Sequence, residues 1–275
     1  MIKVVTENVV DLWESIPTNW PKLKYENELV IDLSSKFRDY EEKSGVKINR
    51  ILDCGCGTGN PSIGLAKEGF KVVAVDKDLK MVERFKRNCA EAGVEIPVDE
   101  LDWRNLPSLL QGDEPLFDVV MCRGNGLIYV ESWDRSEFSP DAARTGIQSA
   151  LQTMVDVLKP GGILYVDTAS ELELKEAERH WAMLGKRETD GIIIVTYWFP
   201  KYDRHRHIRR LEVTRVEHSR ETSKPICMKL YTFNGYLMAH EELNSMMQKA
   251  GCSKVEKKDI GGEYLYDSFW GYKPL

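Results

Sequence analysis

A glycine-rich turn flanked by two aspartates carries the clearest chemical signal in the chain. The turn, DCGCGTG at residues 53–59, follows an apolar run, and Asp76 closes the next apolar run. Glycine lets the backbone turn tightly and approach a ligand closely. The G-x-G-x-x-G fingerprint of pyrophosphate-binding loops requires a third glycine that is absent here, and a carboxylate at Asp53 repels a diphosphate. The turn therefore favours a ligand that carries positive charge.

Asp76 narrows the identity of this ligand. An acid at the end of the second strand of a nucleotide-binding α/β fold accepts hydrogen bonds from the hydroxyl groups of a ribose. A buried acid without a cationic or hydroxyl partner is costly, so Asp53 and Asp76 together indicate a nucleoside with a cationic tail. S-adenosylmethionine, with its ammonium and sulfonium groups, is such a ligand.

The elements that position these residues alternate along the chain. Apolar strand-like runs, such as RILDC, KVVAVD, FDVVMC and ILYVD, alternate with helical patterns, two of which stop at Gly45 and Gly93. Buried strands separated by helices predict a parallel sheet that is covered on both faces and binds ligands at the carboxyl ends of its strands. We therefore predict an α/β protein with a doubly wound, mostly parallel sheet.

The pattern changes after about residue 190. GIIIVTYWF, RHIRRLEVTRVEH and ICMKLYTF are strand-like runs without helices between them, which predicts an inserted antiparallel β meander. The predicted organisation has four parts: a helical N-terminal lid over 1–45, a cofactor-binding α/β core over 46–188, the meander as a substrate cap over 189–235, and a helix and strands over 236–275 that complete the core sheet.

Composition limits the partners of the protein. Hydrophobic side chains make up 42% of the 275 residues, and the net charge of −6 with a pI near 5.6 disfavours nucleic acid as a partner. The basic run KYDRHRHIRR is interpreted as a solvated hairpin. The chain has no apolar run long enough to span a membrane and no signal-type N-terminus, so we predict a cytoplasmic protein. The cysteine and histidine spacings predict no metal site.

The motifs, in this order, resemble those of the class I S-adenosylmethionine-dependent methyltransferases. Residues 51–59 match the first motif of that family, Asp76 matches its ribose-binding acid, and LDWRNL, FDVVMCRGN and LKPGGILYVD match later segments. The resemblance implies a seven-stranded Rossmann-like fold and S-adenosylmethionine as the cofactor, with Asp102 and Trp103 flanking the adenine. The cofactor-binding residues that it implies are Asp53, Gly55, Gly57, Asp76, Lys77, Asp102, Trp103 and Arg123.

Within the family, RGNGLIYV, LDWRNL and the segment from KLYTF to QKAG are similar to the glycine and glycine-sarcosine N-methyltransferases, and amino-sugar N-methyltransferases have a similar insertion. The glycine-methylating enzymes grip the substrate carboxylate with an arginine at the position of Ala169, which weakens glycine as the acceptor here. Candidate replacements are Arg123, Lys22, Lys24 and Arg204. We therefore expect a small-molecule amine or amino acid as the acceptor, methylated on nitrogen, and leave its identity open.

The acceptor side is expected to be a dry pocket with aromatic walls. Methyl transfer from a sulfonium is an in-line displacement, so holding a neutral nucleophile in place supplies most of the catalysis. We predict Asn125 and Tyr231 as catalytic residues and assign no general base. Aromatic π-faces stabilise sulfonium and methylated ammonium groups. The predicted substrate-binding residues are Trp20, Tyr25, Asn125, Tyr129 and Tyr197.

Other functions stay open on the sequence alone. The same motifs fit an O-methyltransferase that acts on a metabolite, or an RNA methyltransferase. Because the carboxylate-gripping arginine is missing, a regulatory protein that binds S-adenosylmethionine without turnover is an alternative from another class. The motifs are compatible with a homo-oligomer. They leave open the oligomeric state and the number of methyl groups transferred.

Overall fold

Two β-sheets of different character organise the chain. The computed structural model describes residues 3–6, 25–110, 116–132, 138–170, 182–189, 191–261 and 266–275. The strands are β1 Lys3–Thr6, β2 Arg50–Cys54, β3 Lys71–Asp76, β4 Val98–Glu100, β5 Phe117–Cys122, β6 Leu158–Ala169, β7 Ala182–Thr189, β8 Ile192–Asp203, β9 Ile208–Ser219, β10 Pro225–Tyr236, β11 Lys254–Lys258 and β12 Tyr266–Tyr272. The helices are α1 Tyr25–Ser44, α2 Ser62–Lys67, α3 Leu79–Ala92, α4 Pro140–Asp156 and α5 His240–Lys249, and short 3-10 helices span Trp103–Leu109 and Gly126–Tyr129.

The main sheet has seven strands in the order β11-β12-β6-β5-β2-β3-β4. Strands β4, β3, β2, β5 and β6 run parallel, whereas β12 is antiparallel to β6, and the edge strand β11 is antiparallel to β12. The central strand β5 is buried along its whole length, because helices cover both faces of the sheet. The predicted doubly wound, mostly parallel seven-stranded sheet is confirmed.

Helices on the two faces of the main sheet form separate hydrophobic clusters. α4 and α5 contribute to one cluster, and α1, α2 and α3 contribute to the other. Local sequence signals set the ends of these helices. At the start of α3 the Asp78 side chain accepts a hydrogen bond from the backbone N–H of Lys80, and α3 ends at Gly93 with a left-handed φ of 69°. Among the described helices, none is both long and apolar enough to cross a membrane.

The second sheet, called the cap sheet below, has five strands in the order β1-β10-β9-β8-β7. Strands β8 to β10 form the predicted antiparallel meander, and β7 extends it as a further antiparallel strand beside β8. The cap sheet is larger than the predicted insertion, because β7 begins at Ala182, ahead of residue 189, and β1 pairs with β10. Within the region predicted as a helical lid, residues 3–6 therefore form a strand, α1 is a helix, and residues 7–24 lie outside the described part.

The cap sheet docks on the segment that follows β5. A Cβ atom on Gly235 would lie 2.9 Å from the Tyr129 ring, so glycine lets β10 approach this segment closely. The Arg209 side chain, which is 1% exposed, donates a hydrogen bond of 2.7 Å to the Tyr129 hydroxyl. The Ser132 hydroxyl donates another to the Asn234 carbonyl. We call the face of the cap sheet that carries Arg209 the inner face; it lies beside the carboxyl end of β5.

Candidate functional site

The glycine turn between β2 and α2 has backbone conformations that other residues rarely adopt. Gly55 and Gly57 have φ values of 75° and 52°, in the left-handed region that favours glycine. The N–H of Gly55 donates a hydrogen bond of 2.8 Å to the Val75 carbonyl, which ties the turn to the end of β3. A Cβ atom on Gly55 would lie only 2.7 Å from Cζ2 of Trp103. The turn therefore rests directly on an indole ring.

Asp53, near the end of β2, is buried under this turn. It is 2% exposed and accepts a hydrogen bond of 2.5 Å from the Ser62 hydroxyl. Burial raises the pKa of Asp53 to about 6, although the Ser62 hydrogen bond and the positive charge of Arg123 act in the opposite direction. The protein alone therefore stabilises this negative charge incompletely, and a bound cation would stabilise it further.

Asp76, the last residue of β3, lies on the other side of the turn. Its two carboxylate oxygens accept hydrogen bonds of 2.9 Å from the backbone N–H groups of Gly57 and Asp78. Burial raises the pKa of Asp76 to about 6 in spite of these hydrogen bonds. Each carboxylate oxygen has a second lone pair, so Asp76 keeps the capacity to accept hydrogen bonds from ligand hydroxyl groups.

The segment predicted to flank an adenine is held by its own contacts. Trp103 is 8% exposed, and its indole N–H has no hydrogen-bond acceptor in the described structure. The Asp102 carboxylate pairs with the Arg104 guanidinium at 2.6 Å, and this hydrogen-bonded pair lowers the pKa of Asp102. The Lys77 ammonium donates a hydrogen bond of 3.2 Å to the Val130 carbonyl. Contacts of Lys77, Asp102 and Trp103 with a cofactor stay predictions.

Asp167, which the sequence analysis missed, organises the turn after β5. This acid is 1% exposed and accepts hydrogen bonds from the backbone N–H groups of Gly124 at 3.0 Å and Asn125 at 2.6 Å. Nε of Arg123 lies 3.6 Å from the Asp167 carboxylate and 3.2 Å from the Tyr165 hydroxyl. Gly124 and Asn125 are 43 and 42 residues away from Asp167 along the chain, so no local pattern reveals the arrangement.

Asn125 presents a buried amide group at the carboxyl end of the sheet. Its φ of 56° lies in the left-handed region, and the hydrogen bond from its N–H to Asp167 stabilises this conformation. The residue is 1% exposed, and its Oδ1 atom accepts a hydrogen bond of 3.2 Å from the Thr168 hydroxyl. Its Nδ2 atom finds no acceptor in the part of the chain that the structure describes. An unsatisfied buried donor requires an explanation, and a bound ligand supplies one.

Two of the aromatic residues predicted for the acceptor side lie on or against the inner face of the cap sheet. Tyr231 is 3% exposed on this face, and the Tyr129 ring packs against Phe233 with centroids 6.3 Å apart. Tyr197 alternates along β8 with Trp198, whose side chain packs against the core, so Tyr197 lies on the outer face. The structure therefore separates Tyr197 from the other two residues.

Ala169, at the position where the resemblance implies a carboxylate-gripping arginine, is buried and has contacts of its own. Ala169, at the end of β6, is 3% exposed, and its carbonyl accepts a hydrogen bond of 3.0 Å from Nε2 of His240. Of the candidate replacements, Arg204 lies in an exposed turn and Arg123 faces Asp167. The remaining predicted groups lie outside the described part of the chain: Trp20, Lys22, Lys24 and the side chain of Tyr25.

The family model for a methyltransferase domain matches residues 51–162. This span runs from β2 into β6 and includes the glycine turn, both buried acids and Asn125. This match and the relatives below support the predicted assignment to the class I S-adenosylmethionine-dependent methyltransferases. The cofactor of this family is the cationic nucleoside that the spacing of Asp53 and Asp76 predicts.

Similar proteins transfer methyl groups to different atoms. This chain is 34% identical over 127 residues to glycine N-methyltransferase of Mus musculus, and the match covers 43% of this chain and 40% of the mouse protein. It is 26% identical over 166 residues to ubiquinone biosynthesis O-methyltransferase of Alkalilimnicola ehrlichii, covering 60% of each chain. The chain thus matches less than two thirds of the length of either relative.

A solved structure extends the likeness to nearly the whole chain. The sugar N-methyltransferase KedS8 from Streptoalloteichus sp. ATCC 53650 superposes with a TM-score of 0.67, covering 98% of this chain and 94% of that chain. The two sequences are 18% identical, so the likeness shows a shared fold.

Proposed function

We propose that this methyltransferase transfers the methyl group of S-adenosylmethionine to the nitrogen of a small-molecule amine or amino acid. The observation that carries the proposal is the pair of buried acids, Asp53 and Asp76, on either side of the glycine turn. Burial raises the pKa of each acid to about 6. Two carboxylates in this state fit a ligand that brings positive charge and hydroxyl groups, and they disfavour a diphosphate.

When bound, S-adenosylmethionine supplies an electrophilic methyl group on a sulfonium. Asp76 would accept hydrogen bonds from its ribose hydroxyl groups, and the negative charge of Asp53 would compensate its positive charge. Glycine at position 55 lets the turn pack on the indole ring, because a Cβ atom there would lie 2.7 Å from Cζ2 of Trp103. These groups are fixed before binding by hydrogen bonds to Ser62 and to the turn itself, so little ordering is required when the cofactor binds.

Asn125 is the residue that we propose to contact the acceptor. Its backbone is held by Asp167, and its buried Nδ2 atom carries hydrogen-bond donors that the described residues do not use. A fixed donor can orient a polar nucleophile for in-line transfer. Tyr129 and Tyr231 would exclude water from the pocket and stabilise a methylated ammonium through their π-faces. The acceptor nitrogen must be neutral when it reacts, and we assign no side chain to remove its proton.

Transfer to oxygen is a second candidate. The match to the O-methyltransferase covers 60% of this chain, whereas the match to the mouse N-methyltransferase covers 43%. Identity is higher to the N-methyltransferase, 34% against 26%, and we therefore favour nitrogen. Tandem mass spectrometry of the product locates the methyl group on one atom or the other.

Cofactor binding is tested by calorimetry on the Asp76→Ala variant. We expect its affinity for S-adenosylmethionine to fall roughly tenfold to a hundredfold, because a hydrogen bond to a charged group contributes about 1.5–3 kcal/mol. The matched control is Asp156→Ala, since Asp156 is exposed at the opposite end of the main sheet, just before β6 begins. Unchanged binding by Asp76→Ala would contradict the assigned ribose contact.

Turnover is tested by release of S-adenosylhomocysteine from a panel of amino acids, amines, amino sugars and hydroxylated metabolites. We expect turnover with at least one nitrogen acceptor and a weaker response in the Asn125→Ala variant, with the larger change in KM. A wild-type protein that binds S-adenosylmethionine and methylates none of these acceptors would overturn the proposed activity and favour a regulatory binding protein. A product methylated only on oxygen would select the second candidate.

A further inference from the structure

We infer that the inner face of the cap sheet contains a binding site for an anionic group of the acceptor. The site is a row of three residues, one on each of three neighbouring strands: Thr196 on β8, Arg215 on β9 and Lys229 on β10. The inference rests on the proposed function, because it names a chemical feature of the molecule that receives the methyl group.

The register of the cap sheet places these side chains together. Arg215 is directly opposite Thr196 on one side and opposite Lys229 on the other. Directly opposed residues of antiparallel strands point to the same face, with Cβ atoms about 5 Å apart. Val213 and Tyr231 form the next pair along the same face, so the row lies about 7 Å from Tyr231 along the strands. The row therefore lies one step beyond the predicted acceptor pocket.

Two buried donors in this row are unsatisfied. Thr196 is 1% exposed, and its hydroxyl has no hydrogen-bond partner in the described structure. The Arg215 side chain is 13% exposed, and its buried Nε–H also finds no acceptor there. Nη2 of Arg215 pairs with the Glu217 carboxylate at 2.8 Å, which compensates one positive charge and leaves the Nε–H unused. Unsatisfied donors on two directly opposed residues match the need of an oxyanion for several convergent hydrogen bonds.

Charge and position favour an anion at this row. Arg215 pairs with Glu217 through Nη2 and keeps its Nε–H for a further acceptor, and Lys229 lies opposite Arg215 on the next strand. Ala169, the last residue of β6, has an uncharged side chain. A guanidinium suits a carboxylate or a phosphate because its N–H donors form a rigid fork. The row on the cap sheet would thus supply the positively charged contact for an anionic group that Ala169 of β6 does not supply.

The experiment uses acceptor pairs that differ only in the anionic group. Glycine is compared with glycinamide to test a carboxylate, and glucosamine 6-phosphate is compared with glucosamine to test a phosphate. The test variant is Arg215→Met combined with Glu217→Gln, which removes the ion pair without leaving a lone buried charge. The matched control is Arg210→Met combined with Glu212→Gln. These two residues are also two positions apart on β9 and form an ion pair of 3.5 Å, but they lie on the outer face. Thr196→Val provides a second, nearly isosteric test of the row.

We expect the wild-type protein to prefer the anionic member of at least one pair, measured as the ratio of kcat/KM values. The double variant at Arg215 and Glu217 should reduce this ratio at least tenfold, Thr196→Val should reduce it severalfold, and the control should leave it within twofold. Binding of S-adenosylmethionine, measured by calorimetry, should be unchanged in all of them.

Several results would overturn the inference. One is a wild-type protein that methylates acceptors but has a kcat/KM ratio near one for both acceptor pairs. This result would overturn the anion site and leave the proposed methyl transfer intact. Another is an equal loss with anionic and neutral acceptors, because this would assign a purely structural role to Arg215. If the double variant does not fold, an unchanged ratio in Thr196→Val refutes the inference. A wild-type protein that neither binds S-adenosylmethionine nor releases S-adenosylhomocysteine would overturn the proposed function together with the inference.

Discussion

Replacing Asp53 with asparagine should stabilise the unliganded protein at neutral pH. Burial raises the pKa of Asp53 from its ordinary value of 3.8 to about 6 in the folded state. The folded protein therefore binds more protons than the unfolded chain between these values, and its stability falls as the pH rises through them. The full effect is about 3 kcal/mol, at about 1.4 kcal/mol for each tenfold change in proton affinity. The Asp53→Asn variant lacks this loss.

The assay is urea unfolding of the wild-type protein and the variant at pH 4 and at pH 7.5. Comparing the same two proteins at both pH values cancels every effect of the substitution that does not depend on pH, including the altered hydrogen bond to Ser62. We expect the free energy of unfolding of the variant, relative to that of the wild-type protein, to be about 2–3 kcal/mol higher at pH 7.5 than at pH 4. Asp156→Asn is the control, because Asp156 is exposed. A difference that is the same at both pH values would refute the claim that burial of Asp53 is costly.

Two further predictions concern the same turn. The affinity for S-adenosylmethionine should fall at least about tenfold when the pH is lowered from 7.5 to 5. The reason is that the cation binds the charged forms of Asp53 and Asp76, whose pKa values are about 6. Calorimetry that gives the same Kd within twofold at both pH values would contradict this prediction. Gly55→Ala should destabilise the protein by about 2–4 kcal/mol in urea unfolding, because it combines a left-handed φ with a collision with Trp103. Gly93 has a similar φ of 69° at the end of a helix, and Gly93→Ala should reduce the free energy of unfolding by only about 1 kcal/mol. Equal losses in the two variants would show that the collision with Trp103 is relieved.

The main sheet could be predicted because its signals are local. Each buried strand is a short apolar run, each helix has its own periodicity, and Gly93 marks the end of α3 where the structure ends it. The acids of the turn were found for the same reason, since Asp53 lies within the glycine motif and Asp76 closes the next strand. The extent of the cap sheet was not predicted, because β7 reads AMLGKRET and β1 has only four residues. Neither has the apolar alternation that indicates a strand.

The parts of the site that the sequence did not reveal depend on contacts between distant residues. Asp167 acts on Gly124 and Asn125 from another strand, and no spacing rule connects them. Arg215 belongs to a run of charged residues that is typical of a solvated surface strand, and only the register of β8 and β9 places it opposite Thr196 on a buried face. Pairing across a sheet thus determines which residues of an ordinary strand can meet a ligand.

The pairing of β1 with β10 also bears on how the protein is synthesised and handled. Lys3 is opposite Cys227 in this ladder, so the first strand leaves the ribosome long before its neighbour exists. Ile226 and Leu230 of β10 are 45% and 40% exposed even with β1 in place. A chain shortened by its first six residues would present β10 as an open edge with apolar side chains, which is a template for aggregation. We therefore expect the solubility of the cap sheet to depend on a short strand that is far away from it in the sequence.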